Sequence, residues 1–182
     1  MTRKALRKWI GASVLLVPLA LFLSFPLLGR GWHLLHGDFI SYDGWRVRVP
    51  RDYCVLDTKP GPTIWKLELG APIFRVPYAH INLFGASLPK PFHYETDWEY
   101  LANSTTAVAE GNGFRLLGSR AATIGKRPAH CLEFVRPNGG PDSQVRCAIE
   151  GTRLFVTYEG HRKYVSDFYS VLHGMSLEMR NP

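Results

Sequence analysis

The densest cluster of chemically capable side chains is the alternating run His93, Glu95, Asp97 and Glu99. Carboxylates beside an imidazole can bind a metal ion or serve acid–base catalysis. Acids also favour the positive end of a helix dipole, and Thr96 with Glu99 has the spacing of a capping box. The run therefore predicts a helix start, with a hydrolytic site as the alternative.

A second cluster of possible ligands precedes the first predicted strand. His33 and His36 form an H-x-x-H pair followed by Asp38. The three could bind a metal on a helix, but polar and amphipathic side chains are also typical of a membrane interface. We expect the interfacial role.

The remaining histidines are expected on strands. His130 alternates with Leu132 and should face the core. His80 and Asn82 share one strand face, which we expect to be solvated, with a groove as the alternative. The chain has no G-x-S-x-G, P-loop, G-x-G-x-x-G, H-E-x-x-H or C-x-x-C motif. The sequence therefore nominates no catalytic residue, no metal ligand and no cofactor.

The three cysteines suggest one disulfide bond. A hairpin centred on residue 139 places Cys131 directly opposite Cys147, within bonding distance. An exported domain would meet an oxidising compartment. We predict a Cys131–Cys147 bridge, the alternative being two buried thiols, and leave Cys54 unpaired.

A possible binding surface is the basic row Arg46, Arg48 and Arg51, together with Trp65. The arginines could contact anionic lipid headgroups or an acidic partner, and Trp is frequent among residues that dominate interfaces. A solvated face with local ion pairs is the alternative.

Most of the net charge of +7 comes from the N-terminus. Five of the 22 basic residues precede the first acid, Asp38, which leaves 17 bases against 15 acids in the remainder. Nucleic-acid binding usually needs bases clustered on a folded domain, so no nucleic-acid partner is expected.

The N-terminal region has the pattern of a signal anchor. Residues 9–28 carry no charge, and this run is long enough to form a helix that spans about 30 Å of hydrocarbon. Four bases and no acid precede it, which predicts a cytoplasmic N-terminus and a periplasmic or extracellular C-terminal domain. A cleaved signal peptide is the alternative.

These patterns divide the chain into four parts. We expect a basic cytoplasmic tail over residues 1–8, a transmembrane segment over 9–28, a juxtamembrane linker over 29–39 and a single extracytoplasmic domain over 40–182. Its partners should be the bilayer and another envelope or membrane protein.

The domain should be α+β, with a mostly antiparallel sheet and two amphipathic helices. Period-two alternation predicts strands over 45–49, 53–57, 63–69 and 78–84 before the first helix, and over 114–118 (extending to 124), 129–135, 144–150 and 153–158 after it. The first helix should end at Gly111-Asn112-Gly113, and the second should cover 161–174. Turns are expected at Asn138-Gly139-Gly140 and Gly151-Thr152.

This order of elements resembles the PsbP-like fold. The likeness covers roughly residues 40–178 and includes GWRVRVPRDY, the capped helix with its glycine-rich exit, GKRPAHCLEFV and a final helix ending near Met175-Ser176-Leu177. The fold occurs in a photosystem II extrinsic protein, a nuclear import factor and bacterial DcrB-type envelope proteins, although this chain lacks the lipoprotein cysteine of the DcrB type.

The resemblance implies a role in binding or assembly, because that fold mostly supports such roles. We therefore expect a membrane-anchored extracytoplasmic binding or accessory module. An envelope enzyme acting near His93–Glu99 is the alternative.

Overall fold

The computed structural model describes residues 28–57, 61–66, 79–85, 88–137 and 142–178. In chain order the elements are α1 (residues 28–36), β1 (Phe39–Tyr42), β2 (Trp45–Arg48), β3 (Tyr53–Asp57), β4 (Pro62–Lys66), β5 (Ala79–Phe84), α2 (Tyr94–Gly111), β6 (Arg115–Ile124), β7 (Arg127–Val135), β8 (Asp142–Ile149), β9 (Phe155–His161), a 3₁₀ turn (Arg162–Tyr164), α3 (Val165–His173) and β10 (Ser176–Leu177).

The strands form two antiparallel sheets. A three-stranded sheet has the order β1-β2-β10, and a seven-stranded sheet has the order β3-β4-β5-β9-β8-β7-β6. The predicted α+β class and antiparallel pairing are confirmed. The predicted membrane segment, residues 9–28, lies outside the described residues except for its last position.

No helix within the described ranges is long and apolar enough to cross a membrane. The predicted Asn138-Gly139-Gly140 turn also lies outside those ranges.

Alternation along the first sheet follows the sequence pattern closely. Trp45 and Val47 are buried, whereas Arg46 and Arg48 are exposed, as period-two spacing predicted. Val49 is still buried, and Pro50 follows the end of β2 because proline cannot donate to a strand ladder. The inward side chains of β2 therefore join the main core.

The main core lies between the two sheets and is closed by α3. Phe168 and Leu172 of α3 are fully buried there beside Trp45 and Val47. Full burial of such a side chain contributes about 1.5–3 kcal/mol each. The Asp167 carboxylate ties α3 to the sheet by accepting a hydrogen bond from the Tyr53 hydroxyl at 3.0 Å.

The disulfide prediction is confirmed inside this core. Cys131 on β7 is directly opposite Cys147 on β8, their Cα atoms are 4.1 Å apart, and both side chains are fully buried. Cys54 is a free, half-buried thiol, and burial raises its pKa.

A smaller apolar cluster lies on the other face of the seven-stranded sheet, beneath α2. Leu132 and Phe134 of β7 pack there with Ala109 of α2, and Trp98 and Ala102 border the cluster. The two faces of one strand thus serve two clusters, because successive side chains point to opposite sides.

Helix α2 differs from its predicted form at its start. The capping-box prediction was wrong: the helix begins at Tyr94 and its N-cap is His93, so Thr96 lies inside the first turn. The Asp97 carboxylate accepts a hydrogen bond from the backbone N–H of the N-cap His93 at 3.0 Å. In a capping box this role would have belonged to Glu99. Val108, on the outer face of α2, is exposed.

The end of α2 follows the prediction. The helix ends at Gly111 and Asn112 caps it, with Gly113 at φ 79°, a conformation that favours glycine.

Strand β6 then runs without a break to Ile124, with a register shift between Leu116 and Gly118. The last helix begins later than predicted, since residues 162–164 form a 3₁₀ turn.

Candidate functional site

The exposed face of the three-stranded sheet carries the first part of the predicted binding surface. Arg46 is directly opposite Ser41, and Arg48 is directly opposite Phe39, so all four share that face. The Arg46 guanidinium lies 4.1 Å from the centre of the Phe39 ring, a cation–π contact. Phe39 remains 42% exposed. We call Phe39, Ser41, Arg46 and Arg48 the basic face.

The arginines of the basic face have no ion pair within the described part of the chain. None of the described carboxylates lies within 4.0 Å of Arg46 or Arg48. Glu178, the acid beside this sheet, accepts the Ser41 hydroxyl. The local ion pairs offered as the alternative are therefore not present among the described residues.

Arg51 lies beyond the end of β2, at the junction with α1. Its side chain is exposed, and its backbone carbonyl is against Gly29. Arg51 is thus associated with the first helix rather than with the basic face.

Trp65 belongs to a different surface. It lies on β4 next to the core residue Ile64, and its side chain is on the face of the seven-stranded sheet that is turned away from the main core. The structure therefore divides the four residues predicted to bind between two sides of the molecule.

Trp65 is part of a row of cross-strand neighbours. It is directly opposite Cys54 on β3 and His80 on β5; His80 is opposite Glu159 on β9, and Glu159 is opposite Gln144 on β8. The Trp65 and His80 rings are 5.6 Å apart. We call these five residues the central row.

The central row is partly hydrogen-bonded. Gln144 donates to Glu159 at 3.1 Å, and the His80 Nε2 atom lies 3.9 Å from the same carboxylate. The Trp65 indole N–H and the His80 Nδ1 atom are buried and have no hydrogen-bond partner among the residues that the structure describes. Burial lowers the pKa of His80, and the Glu159 charge opposes part of that change.

A second polar row runs beside the first. The Thr63 hydroxyl donates to Asn82 at 2.8 Å, and Asn82 donates to Thr157 at 3.3 Å. The strand face shared by His80 and Asn82 is thus a polar sheet face with cross-strand hydrogen bonds. Of the described helices, α2 packs on β6 and β7.

The cluster around His93 is organised by a residue that sequence spacing does not connect to it. The His93 Nδ1 atom is 2.9 Å from Glu150, whose second oxygen accepts the Tyr94 N–H at 2.9 Å. Burial would raise the pKa of Glu150, but these two hydrogen bonds and the nearby histidines together lower it. The cluster therefore caps α2 from the end of β8.

Asp97 extends this cap. It accepts the backbone N–H of His93 and lies 2.8 Å from the Lys90 ammonium. The hydrogen bond from Lys90, followed by the one from His93, lowers the pKa of Asp97.

His130 is packed among aromatic rings on the α2 side of the sheet. Its ring stacks on Tyr94 at 3.7 Å between centres, with Trp98 at 5.5 Å and Phe92 at 6.4 Å. Burial lowers the pKa of His130, and the Glu150 charge opposes part of that change. His130 lies on the predicted face with Leu132, but its side chain is only half-buried and packs at the edge of the cluster beneath α2.

Of the two histidines of α1, His33 holds the helix against the domain. The His33 Nδ1 atom is 2.9 Å from Asp38, and its Nε2 atom donates to the Pro50 carbonyl at 2.9 Å. His36 stacks on Trp32. No group of three potential metal ligands occurs in the described ranges.

A cleft of about 580 Å³ separates α1 from the strands. Trp32 and His36 line it from α1, β1 contributes a wall, and Val55 and Pro62 lie opposite. The lining of the cleft combines polar and apolar side chains.

Sequence reasoning missed three participants: Phe39, Glu150 and Glu159. Phe39 carries a usable signal, since an aromatic residue two positions before Ser41 suggests a strand paired with β2. Glu150 and Glu159 carry none, because the histidines that they approach, His93 and His80, are more than 50 residues away in the chain.

No family model matches the chain, and no curated protein matches it. Among solved structures, the chain is similar to the solution structure of cyanobacterial PsbP (CyanoP) from Synechocystis sp. PCC 6803, with a TM-score of 0.50 and 12% sequence identity. The match covers 76% of this chain and 91% of that chain. Similarity at this identity shows the fold alone, and the PsbP-like fold expected from element order is supported.

Proposed function

We propose that the protein is a single-pass membrane protein whose extracytoplasmic domain binds another envelope protein without chemistry of its own. The observation that carries the proposal is the basic face, where Arg46 and Arg48 stand beside a partly exposed Phe39 and have no carboxylate partner among the described residues. Aromatic and arginine side chains are enriched at protein interfaces, so an acidic protein surface is the partner that fits.

The anchor makes a modest contact sufficient. A domain held at a membrane meets a membrane-bound partner at raised effective concentration. The PsbP-like fold is compatible with such a role, since the resemblance implies binding and assembly functions. Trp65, on the other side of the molecule, would serve a separate contact.

A photocrosslinking experiment tests the basic face. A photoreactive phenylalanine analogue at Phe39 in the full chain should form a discrete adduct in intact membranes. Replacing both Arg46 and Arg48 by Glu should abolish the adduct, because the acidic partner would be repelled. Arg115→Glu, an exposed arginine on β6, is the matched control and should leave the adduct intact.

The adduct should also weaken as ionic strength rises, because exposed charges are screened within about 8 Å at physiological salt. An adduct that persists in the double Glu variant would contradict the proposal. So would the absence of any adduct in membranes that contain the folded, disulfide-bonded chain.

An envelope enzyme acting near His93–Glu99 is the second candidate, favoured by the 2.9 Å contact between His93 and Glu150. A carboxylate of this kind could orient an imidazole that acts as a base. If a folded His93→Ala variant keeps the Phe39 adduct but loses the cellular function of the protein, this candidate should replace the first.

A further inference from the structure

Helix α1 has two faces with opposite roles. Positions 29, 32, 33 and 36 lie on one side of a helix with 3.6 residues per turn, and positions 30, 31, 34 and 35 lie on the other. The first side contacts the domain. The second side presents Leu34 and Leu35, which are 88% and 82% exposed.

The first side is closely fitted to the domain. Gly29 is buried, and a Cβ atom at this position would lie 2.9 Å from the Asp52 carbonyl carbon. Trp32 packs against the main core, and the His33 ring, 9% exposed, is hydrogen-bonded to Asp38 and Pro50. The segment expected to be a linker is therefore a helix docked on the folded domain.

The second side is apolar where a soluble helix would be polar. Two leucines this exposed contribute nothing to the domain core, and an apolar face turned outward marks an interaction surface. Arg30 lies on the same side, so the surface combines leucines with one cation. This composition is typical of helices that lie at a membrane interface.

The position of α1 in the chain selects its occupant. The uncharged run of residues 9–28 ends where the described part of α1 begins. From Leu28 to Leu35 a helix rises about 10 Å. The headgroup layer is about 5–8 Å thick on each side of the hydrocarbon, so an inclined helix would place both leucines within it.

We propose that Leu34 and Leu35 insert into the outer interface of the bilayer, and that the docked helix thereby fixes the orientation of the whole domain on the membrane. This inference rests on the proposed membrane anchor. Arg30 and the exposed Arg51, whose backbone is against Gly29, would then lie level with the phosphate groups.

Fluorescence quenching in reconstituted vesicles tests the inference. In the full chain, Cys54→Ser removes the free thiol, and Leu34→Cys or Leu35→Cys introduces one new free thiol. This thiol is labelled with an environment-sensitive dye, and the chain is reconstituted in phosphatidylcholine–phosphatidylglycerol vesicles. The label should emit at shorter wavelength and lose fluorescence to a lipid-borne quencher. Val108→Cys on α2, also exposed, is the matched control and should be quenched by aqueous iodide instead.

The outcomes separate this inference from the proposed function. Extraction of the chain by alkaline carbonate would overturn the anchor, and the inference with it. Resistance to extraction, with both leucine labels as accessible to iodide as the Val108 label, would overturn the inference alone. Labels shielded from both quenchers would also overturn it, because protein and not lipid would then cover the leucines.

Folding is checked in the same samples. Leu34 and Leu35 are exposed, so their replacement should leave the Cys131–Cys147 bridge intact on non-reducing peptide mapping. If one cysteine variant misfolds, the other provides the same readout.

Discussion

The Cys131–Cys147 disulfide is the clearest case in which a single bond between side chains contributes to stability. Cys131 and Cys147 are opposite each other, fully buried and 16 residues apart in the chain. Closing a loop of this length stabilises a folded domain by about 3 kcal/mol in the chain-entropy account. The bond restricts the unfolded chain and joins two neighbouring strands in the core.

We predict that replacing both cysteines by alanine lowers the free energy of unfolding by about 3 kcal/mol. Urea denaturation followed by circular dichroism measures the change. Cys54→Ala is the control, and it should have a smaller effect because Cys54 is half-buried and unbonded. Equal losses in the two variants would show that the bridge adds no stability.

His80 in the central row makes stability depend on pH. Burial lowers its pKa in the folded state, so the unfolded chain binds the proton more readily. The folded state is then favoured above the ordinary histidine pKa of about 6.5 and loses stability as the pH falls below that value.

We therefore expect His80→Gln to flatten the acid side of the stability profile. Melting temperatures measured from neutral to mildly acidic pH should fall less steeply in the variant than in the unsubstituted protein. His173→Gln is the control, because this exposed histidine is the last residue of α3 and has no ion pair among the described residues, so its replacement should leave the slope nearly unchanged. A steeper decline in His80→Gln would contradict the assignment.

At the scale of elements, α1 depends on one close approach. A methyl group at Gly29 would lie within 2.9 Å of the Asp52 backbone, whereas a methyl group at Gly31 would meet nothing within 4 Å. Both glycines belong to the same helix, and alanine favours a helix over glycine by about 1 kcal/mol. The two positions therefore separate helix propensity from docking.

We predict opposite results for the two substitutions. Gly31→Ala should raise the melting temperature slightly, and Gly29→Ala should lower it because α1 must move away from the domain. Hydrogen exchange at the Asp52 region would show whether docking is lost. Stabilisation by both variants would mean that α1 accommodates the methyl group without leaving its place.

Helix α2 shows how a tertiary contact replaces a local signal. Its N-terminus is held by Glu150, from the end of β8, and by Asp97 in its own first turn. The helix was predicted from its apolar spacing and acidic start, and both features are present. The sequence could not indicate Glu150 as the capping residue, because it is 56 residues away from Tyr94, whose backbone N–H it binds.

For the whole molecule, the distribution of charge predicts the topology. Four basic residues precede the uncharged run, and basic residues stay on the cytoplasmic side. A reporter that is active only after export should therefore be active when fused after Pro182. The matched fusion without residues 9–28 should be inactive, and activity of a cytoplasm-only reporter after Pro182 would contradict the predicted orientation.

The sequence by itself determined features that are local or periodic. Alternation located the strands around Trp45 and His130, glycine located the end of α2, and hairpin symmetry located the Cys131–Cys147 bridge. Side chains along a strand alternate between two faces, so these signals can be read without knowing what lies across the sheet.

The tertiary structure alone decided which of these features meet. It separated Trp65 from Arg46 and Arg48, brought Glu150 to His93, and docked α1 through Gly29. Each outcome depends on how two sheets pack and on contacts between residues far apart in the chain. Spacing along the sequence carries no record of such contacts, because packing among many segments determines them together.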